Sequence, residues 1–125
     1  MAELRRIYKC DVCGNIVEVL HSGAGTLVCC GKPMRLVAEV EEGAGAEKHV
    51  PMVKFGEHVV VKIGEAPHPM EEGHFIEWIE FTVGNLTCRR FLKLGDLPEA
   101  VFDVKAERGV VKAYCTQHGL GQRGE

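Results

Sequence analysis

Phe75-Ile76-Glu77-Trp78-Ile79-Glu80-Phe81-Thr82-Val83 is the stretch that decides the fold, an aromatic and β-branched run between Gly73 and Gly84. Ile76, Trp78 and Ile79 break strict alternation, but the β-branched content and the bounding glycines favour a strand over a helix. Working outward, the same texture recurs at His58–Ile63, Leu86–Leu92, Ala100–Val104 and Val110–Tyr114. Gly64, Pro67, Pro69, Gly84-Asn85, Gly95-Asp96, Pro98 and Gly109 separate these runs at turn-like intervals. Glycine supplies 15 of 125 residues, above the roughly 7% average, as a turn-rich β chain requires. The reading is mainly β, with a β-sandwich as the larger part. The closing Gly119-Leu120-Gly121-Gln122-Arg123-Gly124-Glu125 reads as a loose tail.

The bulk composition excludes several function classes. With 46% hydrophobic and 26% charged residues the chain reads as a soluble globular protein. No apolar run approaches the roughly 20 residues of a membrane span. A formal net charge of -3 gives no general attraction for nucleic acid or an anionic membrane, so neither is expected as a partner. Met1-Ala2-Glu3-Leu4-Arg5-Arg6 leads into a polar, cysteine-bearing segment without the apolar stretch of a secretory signal. The expected compartment is the cytoplasm.

The first segment carries short apolar runs at Ile7-Tyr8, Ile16–Leu20 and Thr26-Leu27-Val28, read as strands between tight turns. The stretch Glu41-Glu42-Gly43-Ala44-Gly45-Ala46 has no hydrophobic period and reads as a linker. A domain boundary is therefore expected near residues 37–46. Cys10-x-x-Cys13-Gly14 and Cys29-Cys30-Gly31 supply four thiolates from two tight turns, a strong metal-site signal. A left-handed glycine after the second cysteine would let backbone N–H groups point at sulfur. A segment this short also falls below the roughly 40 residues at which a metal is usually needed for folding. An S4 set suits zinc or iron equally. A thioredoxin-like redox pair is the weaker reading, because the flanks look like strands and not a helix N-terminus.

A second group of metal-binding side chains lies in the remainder. Glu47-Lys48-His49-Val50-Pro51, Pro67-His68-Pro69-Met70-Glu71-Glu72-Gly73-His74 and Cys115-Thr116-Gln117-His118-Gly119 place histidines at strand edges or in proline-stiffened loops. A lone turn histidine is usually a solvated surface residue. Four of them beside a Cys-x-x-His pair point to a metal instead. His21, in a turn, and His58, at a strand start, read as non-ligands. Cys88 reads as a half-buried small residue and Trp78 with its isoleucines as core. Of Arg89 and Arg90, consecutive on a strand, at most one can add to a positive rim around a site.

Glu47-Lys48-His49-Val50-Pro51, the run from Pro67 to Glu80 and Cys115-x-x-His118-Gly119 together resemble the desulfoferrodoxin family, the two-iron class of superoxide reductases, and the resemblance covers nearly the whole chain. It implies a desulforedoxin-like Fe(Cys)4 domain over residues 1–37, with iron on Cys10, Cys13, Cys29 and Cys30. It implies an immunoglobulin-like β-sandwich over residues 38–125 with a second non-haem iron. His49, His68, His74 and His118 would be its equatorial imidazoles and Cys115 its axial thiolate. The resemblance makes Glu47 a carboxylate able to close the open position on ferric iron, and Lys48 the cation beside it. It further implies superoxide as substrate, a rubredoxin-like electron donor and a homodimer. The chain departs from the common family pattern at Thr116, where asparagine is usual, and at Gly119-Leu120-Gly121, where a tryptophan is usual.

The ligand set is chemically coherent with that activity. Fe(II) with four neutral imidazoles and one thiolate carries a net positive charge, so an anion is drawn to an open position. A thiolate opposite that position pushes electron density toward it. Reduction of superoxide to hydrogen peroxide takes one electron and two protons. Two other readings stand beside this one: an electron carrier that uses only the S4 site, and a zinc-stapled interaction module.

Overall fold

The computed structural model describes residues 2–37, 39–40, 51–63, 75–116 and 119–124. Every helix or strand element among them is a strand, as the patterning predicts. The chain divides into two compact units, Met1–Ala38 and Glu39–Glu125. The proposed linker at residues 41–46 lies outside the described residues.

The first unit holds five short strands: β1 (Ile7–Lys9), β2 (Ile16–Glu18), β3 (Val28–Cys29), β4 (Lys32–Pro33) and β5 (Arg35–Leu36). β1 lies between β2 and β5, antiparallel to both, while β3 and β4 form a separate hairpin. The strand expected at Thr26–Val28 begins only at Val28, while Leu27 packs against the small cluster of Ala2, Tyr8 and Val19 and accepts a bond from the Met34 N–H at 2.8 Å. A core of that size stabilises little by itself, since apolar burial contributes only about 25 cal/mol per Å².

The second unit comprises β6 (Glu39–Val40), β7 (Pro51–Lys54), β8 (Val59–Ile63), β9 (Ile76–Val83), β10 (Leu86–Phe91), β11 (Glu99–Phe102), β12 (Val110–Cys115) and β13 (Gly119–Gly124). One sheet has the order β10-β9-β12-β13-β6 and the other β11-β8-β7. Their facing side chains form one core, with Val59 and Val61 from β8, Phe102 from β11, Ile79 and Phe81 from β9, and Val111 and Ala113 from β12. This is the expected sandwich. In β8 and β11 alternating residues supply the buried face, as a pleated strand requires.

The broken alternation in β9 has a structural cause. Tyr114 pairs with Trp78, but the next residue, Cys115, pairs with Ile76, so the ladder slips at Glu77. A bulge of this kind puts two residues against one and turns the following side chains over. Ile76 thereby joins Ile79 and Cys115 in the core. Trp78 is buried as expected, but outside that core cluster, where it stacks on Tyr114 with ring centroids 4.6 Å apart. Trp78 Nε1 donates to Glu80 Oε1 at 3.3 Å, and Arg89 Nη2 pairs with the same oxygen at 3.0 Å.

One expectation is overturned. Residues 119–124 are not a loose tail but strand β13, antiparallel to β12 and parallel to β6. Three of its six residues are glycine, so the segment has little strand preference of its own. Backbone pairing on both edges overrides that weakness.

Gly109 meets the tightest packing among the described glycines. A Cβ there would lie 2.3 Å from Phe81 Cε1 and 2.8 Å from the Thr82 carbonyl oxygen. Gly109→Ala is therefore expected to destabilise the second unit by about 2 kcal/mol. Thermal or denaturant unfolding checks this, and wild-type stability would contradict the close approach.

Candidate metal centres

The Cys10–Gly14 turn grows out of the β1–β2 pairing. Cys10 N–H donates to the Asn15 carbonyl at 2.8 Å, and Gly14 N–H donates back to the Cys10 carbonyl at 2.9 Å. Gly14 has φ +86°, the left-handed conformation the sequence anticipates for it. The turn so closed aims the Cys13 N–H at Cys10 Sγ, 3.5 Å away. Outside the turn, Arg35 of β5 bonds Asp11 through Nε at 3.2 Å. That pair is exposed, so it adds orientation more than stability.

Cys29 and Cys30 meet a geometric obstacle, because adjacent residues of a strand point to opposite faces. The hairpin between β3 and β4 removes it. Cys29 pairs with Lys32, leaving Cys30 and Gly31 as a two-residue connection with φ +53° and +74°. Positive φ at both central residues is the mark of a type I′ turn. The left-handed twist at Cys30 returns its side chain toward that of Cys29, and the two Sγ atoms stand 3.9 Å apart. Such a conformation is unfavourable for a residue other than glycine and persists only where its surroundings demand it.

The four sulfurs of Cys10, Cys13, Cys29 and Cys30 all lie within 4.8 Å of one another. A tetrahedron with metal–thiolate bonds of about 2.3 Å has edges of about 3.8 Å. The 3.6 Å between Cys13 Sγ and Cys29 Sγ and the 3.9 Å between Cys29 Sγ and Cys30 Sγ fit that figure. The donor set therefore suits a tetrahedral thiolate-bound metal without rearrangement of the fold. Cys10 is buried while Cys13 and Cys30 are exposed, so one side of the cluster faces solvent. Asn15 Nδ2, 3.9 Å from Cys29 Sγ, adds a side-chain donor that the motif spacing does not announce.

The thiols differ in acidity. The Cys13 backbone N–H, assisted by that of Val12, lowers the Cys10 thiol to about 6 against the opposing effect of burial. Cys29 is raised, chiefly by its hydrogen bond with Cys13. Cys30 is pushed up to about 12, with its hydrogen bonds to Cys13 and Cys29 the leading causes. The thiolate is thus favoured at Cys10, and the proton at Cys29 and Cys30.

The second proposed site is described only in part. Cys115 is buried at the end of β12, 1% exposed. It pairs with Gly119 of β13, so a three-residue connection containing His118 begins directly at the cysteine. Glu47, Lys48, His49, His68, His74 and His118 lie outside the described residues. Among the remaining residues, His58 Nδ1 stands 2.9 Å from Asp103 Oδ1 on the surface. Cys88 is half-buried against the core. Of the described residues, only Cys10, Cys13, Cys29 and Cys30 form a potential metal-binding group. Arg89 is engaged by buried Glu80.

Comparison with known proteins extends these observations along the whole chain. Residues 2–37 match the desulfoferrodoxin N-terminal domain, and residues 41–123 match the main desulfoferrodoxin model. The chain belongs to the desulfoferrodoxin family. A desulfoferrodoxin homolog of Archaeoglobus fulgidus is 51% identical, over 99% of this chain and 100% of that protein. Among solved structures, the superoxide reductase from Treponema pallidum has the same fold, with a TM-score of 0.76 at 21% identity over 94% of this chain and 96% of that one. The one-iron superoxide reductase from Giardia intestinalis, at 33% identity and a TM-score of 0.55, covers 63% of this chain and 97% of its own length.

Metal uptake at the four-cysteine group of the desulfoferrodoxin chain should depend steeply on pH. Cys29 and Cys30 hold their protons above the ordinary thiol range, and a metal must displace both. Competition by protons weakens as pH rises, so apparent affinity should climb by at least about a hundredfold per pH unit between 6 and 8. Titration of the metal-free protein against a chromophoric chelator measures this, and a slope below one proton would contradict it.

Proposed function

We propose that this desulfoferrodoxin is a superoxide reductase that converts superoxide, one electron and two protons into hydrogen peroxide. In this reading residues 1–37 form a domain holding one non-haem iron on Cys10, Cys13, Cys29 and Cys30. Residues 38–125 hold the second on His49, His68, His74, His118 and Cys115. Iron, when bound, supplies the transferable electron and a cationic point that attracts an anion. A rubredoxin-like donor would renew the electron, with the exposed side of the four-cysteine group as a point of exchange. A homodimer and the cytoplasm complete the proposal. No helix of the described residues is long and apolar enough to cross a membrane.

The observation that carries the second site is the position of Cys115. A buried thiol at the end of a core strand is shielded from water on the side of the sandwich, and the chain turns at once into the connection bearing His118. The Phe75 backbone, directly after His74 in sequence, is bonded to Thr116, directly after Cys115. The Phe75–Thr116 pairing at one end of β9 and β12 thus supports a reading in which His74 and Cys115, their neighbours in sequence, serve one centre. The Cys115 thiolate would donate electron density, and its burial keeps a competing water from the sulfur. Lys48 would draw superoxide in by charge, and Glu47 would hold the open position of the oxidised form.

Cys115→Ser should abolish superoxide reduction while the four-cysteine group still loads, because a serine oxygen cannot supply the thiolate's electron donation. Metal content, the visible spectrum and stopped-flow reduction measure the three parts of that statement. Near-normal turnover would remove Cys115 from the axial role. Colourless protein with zinc at both sites would sink the enzyme reading.

Lys48→Ile should slow the reaction of the ferrous protein with superoxide by roughly five- to tenfold, the effect of one nearby charge on an anion's approach. The dependence on ionic strength should weaken in parallel, with iron content unchanged. An unaltered rate with the wild-type salt slope would eliminate the steering role.

A further inference from the structure

The ladder between β9 and β12 runs in register from Val110 opposite Thr82 to Tyr114 opposite Trp78, then slips so that Cys115 faces Ile76. One step further, Thr116 N–H donates to the Phe75 carbonyl at 3.0 Å. In an antiparallel pair the return bond would run from the Phe75 N–H to the Thr116 carbonyl. Here the Phe75 N–H donates instead to Thr116 Oγ1, at 3.1 Å. A side-chain hydroxyl replaces a backbone acceptor at the last rung.

The substitution of acceptor has a consequence for the path of the chain. A carbonyl committed to β9 would keep residue 116 in the plane of the sheet. A hydroxyl in its place frees the Thr116 carbonyl from the ladder with β9, while the strand ends stay locked together. The Phe75 N–H belongs to the peptide that joins Phe75 to His74, so the lock acts on the backbone adjacent to that histidine. At the same rung, Thr116 is joined covalently to Cys115.

We propose that Thr116 is a positioning residue for the second metal centre, its hydroxyl tying Phe75, the residue that follows His74 in sequence, to the residue that follows Cys115. The inference rests on the reading in which these two residues bind the same iron. Thr116 touches neither substrate nor metal in this role. It couples the sequence neighbours of two proposed ligands, and an outer group of that kind commonly changes metal affinity by roughly 10–100-fold.

The test uses the full-length, iron-loaded protein and the pair Thr116→Val and Thr116→Ser. Valine keeps the shape and removes the acceptor, whereas serine restores the hydroxyl. The readouts are the Cys115 thiolate-to-iron absorption of the second site and the rate at which a chelator removes that iron. The absorption of the four-cysteine site serves as an internal reference. The valine variant should show a shifted thiolate band and iron loss roughly tenfold faster than wild type, and the serine variant should match wild type on both. A valine variant indistinguishable from wild type overturns the proposal, as does a serine variant equally impaired. Disturbance of both sites together would assign the effect to general folding and overturn a local role. Absence of any second-site thiolate band in the wild-type protein would overturn the ligand reading itself, a result distinct from the others.

Discussion

The pairing of β9 with β12 is the constraint on which the second unit depends. These are the two long central strands of the five-stranded sheet, and between them they supply Ile76, Ile79, Phe81, Val111, Ala113 and Cys115 to the core. A one-residue slip in such a pair would turn a whole hydrophobic set toward the wrong face. The ladder holds register through five pairs and then spends one residue, Glu77, on a bulge. Because the bulge falls at the last pair, it leaves the core intact and changes only what happens at the strand ends. Ile76 turns inward beside Cys115, and the chain beyond Cys115 is free to leave the sheet.

The first unit is held by a different principle. Its described buried apolar residues, Ala2, Ile7, Tyr8, Cys10, Val19 and Val37, are too few to hold several two- and three-residue strands alone. What organises it is the convergence of four sulfurs, which two tight turns bring within metal-binding distance. The hairpin at Cys30-Gly31 shows how backbone strain and metal chemistry are joined. A cysteine with positive φ is unfavourable, yet only that conformation lets neighbouring side chains serve one centre. The acidity pattern has the same origin, since Cys10 lies where backbone N–H groups converge and Cys30 lies where other thiols do. Bound metal would offset the strain at Cys30 and displace the protons that the thiols share, so folding and metal binding are linked in this unit.

Much of this was legible in the sequence, for physical reasons that differ from site to site. The Cys-x-x-Cys-Gly and Cys-Cys-Gly turns announced the thiolate group because a chelating turn requires short, fixed spacing. The strands were legible from β-branched runs, and even the broken alternation at Ile76 and Trp78 was a true signal, of a bulge. β13 was not legible, since half of its residues are glycine and its pairing is set by β12 and β6 and not by its own composition. Thr116 stood out only as a departure from the family pattern. Its hydrogen bond to Phe75 spans 41 positions of sequence, which no local reading can foresee. Asn15 could have been suspected from its place directly after the Cys-x-x-Cys-Gly turn, where a side-chain amide is within reach of sulfur. Glu47, Lys48, His49, His68, His74 and His118 were read from resemblance, and they lie outside the described residues.

The strand that the sequence concealed bears most directly on how the second site is held together. β13 pairs in parallel with β6, which joins Leu120 to Glu39 and Gly121 to Val40 across most of the unit's length. Contacts so distant in sequence carry the full entropy of loop closure before they return any stability. A glycine-rich strand adds little packing to offset that cost, so β13 depends on its neighbours more than they depend on it. Its connection to β12 begins at Cys115 and includes His118. A metal held by those two residues would bridge the turn between β12 and β13 and fix the direction in which β13 sets out. By linkage, whatever favoured metal binding at that turn would favour the pairing of β13, and whatever loosened β13 would weaken the hold on the metal. With Cys115 and His118 as ligands, the C-terminal strand would be energetically part of the proposed site, although no side chain in it is a candidate ligand.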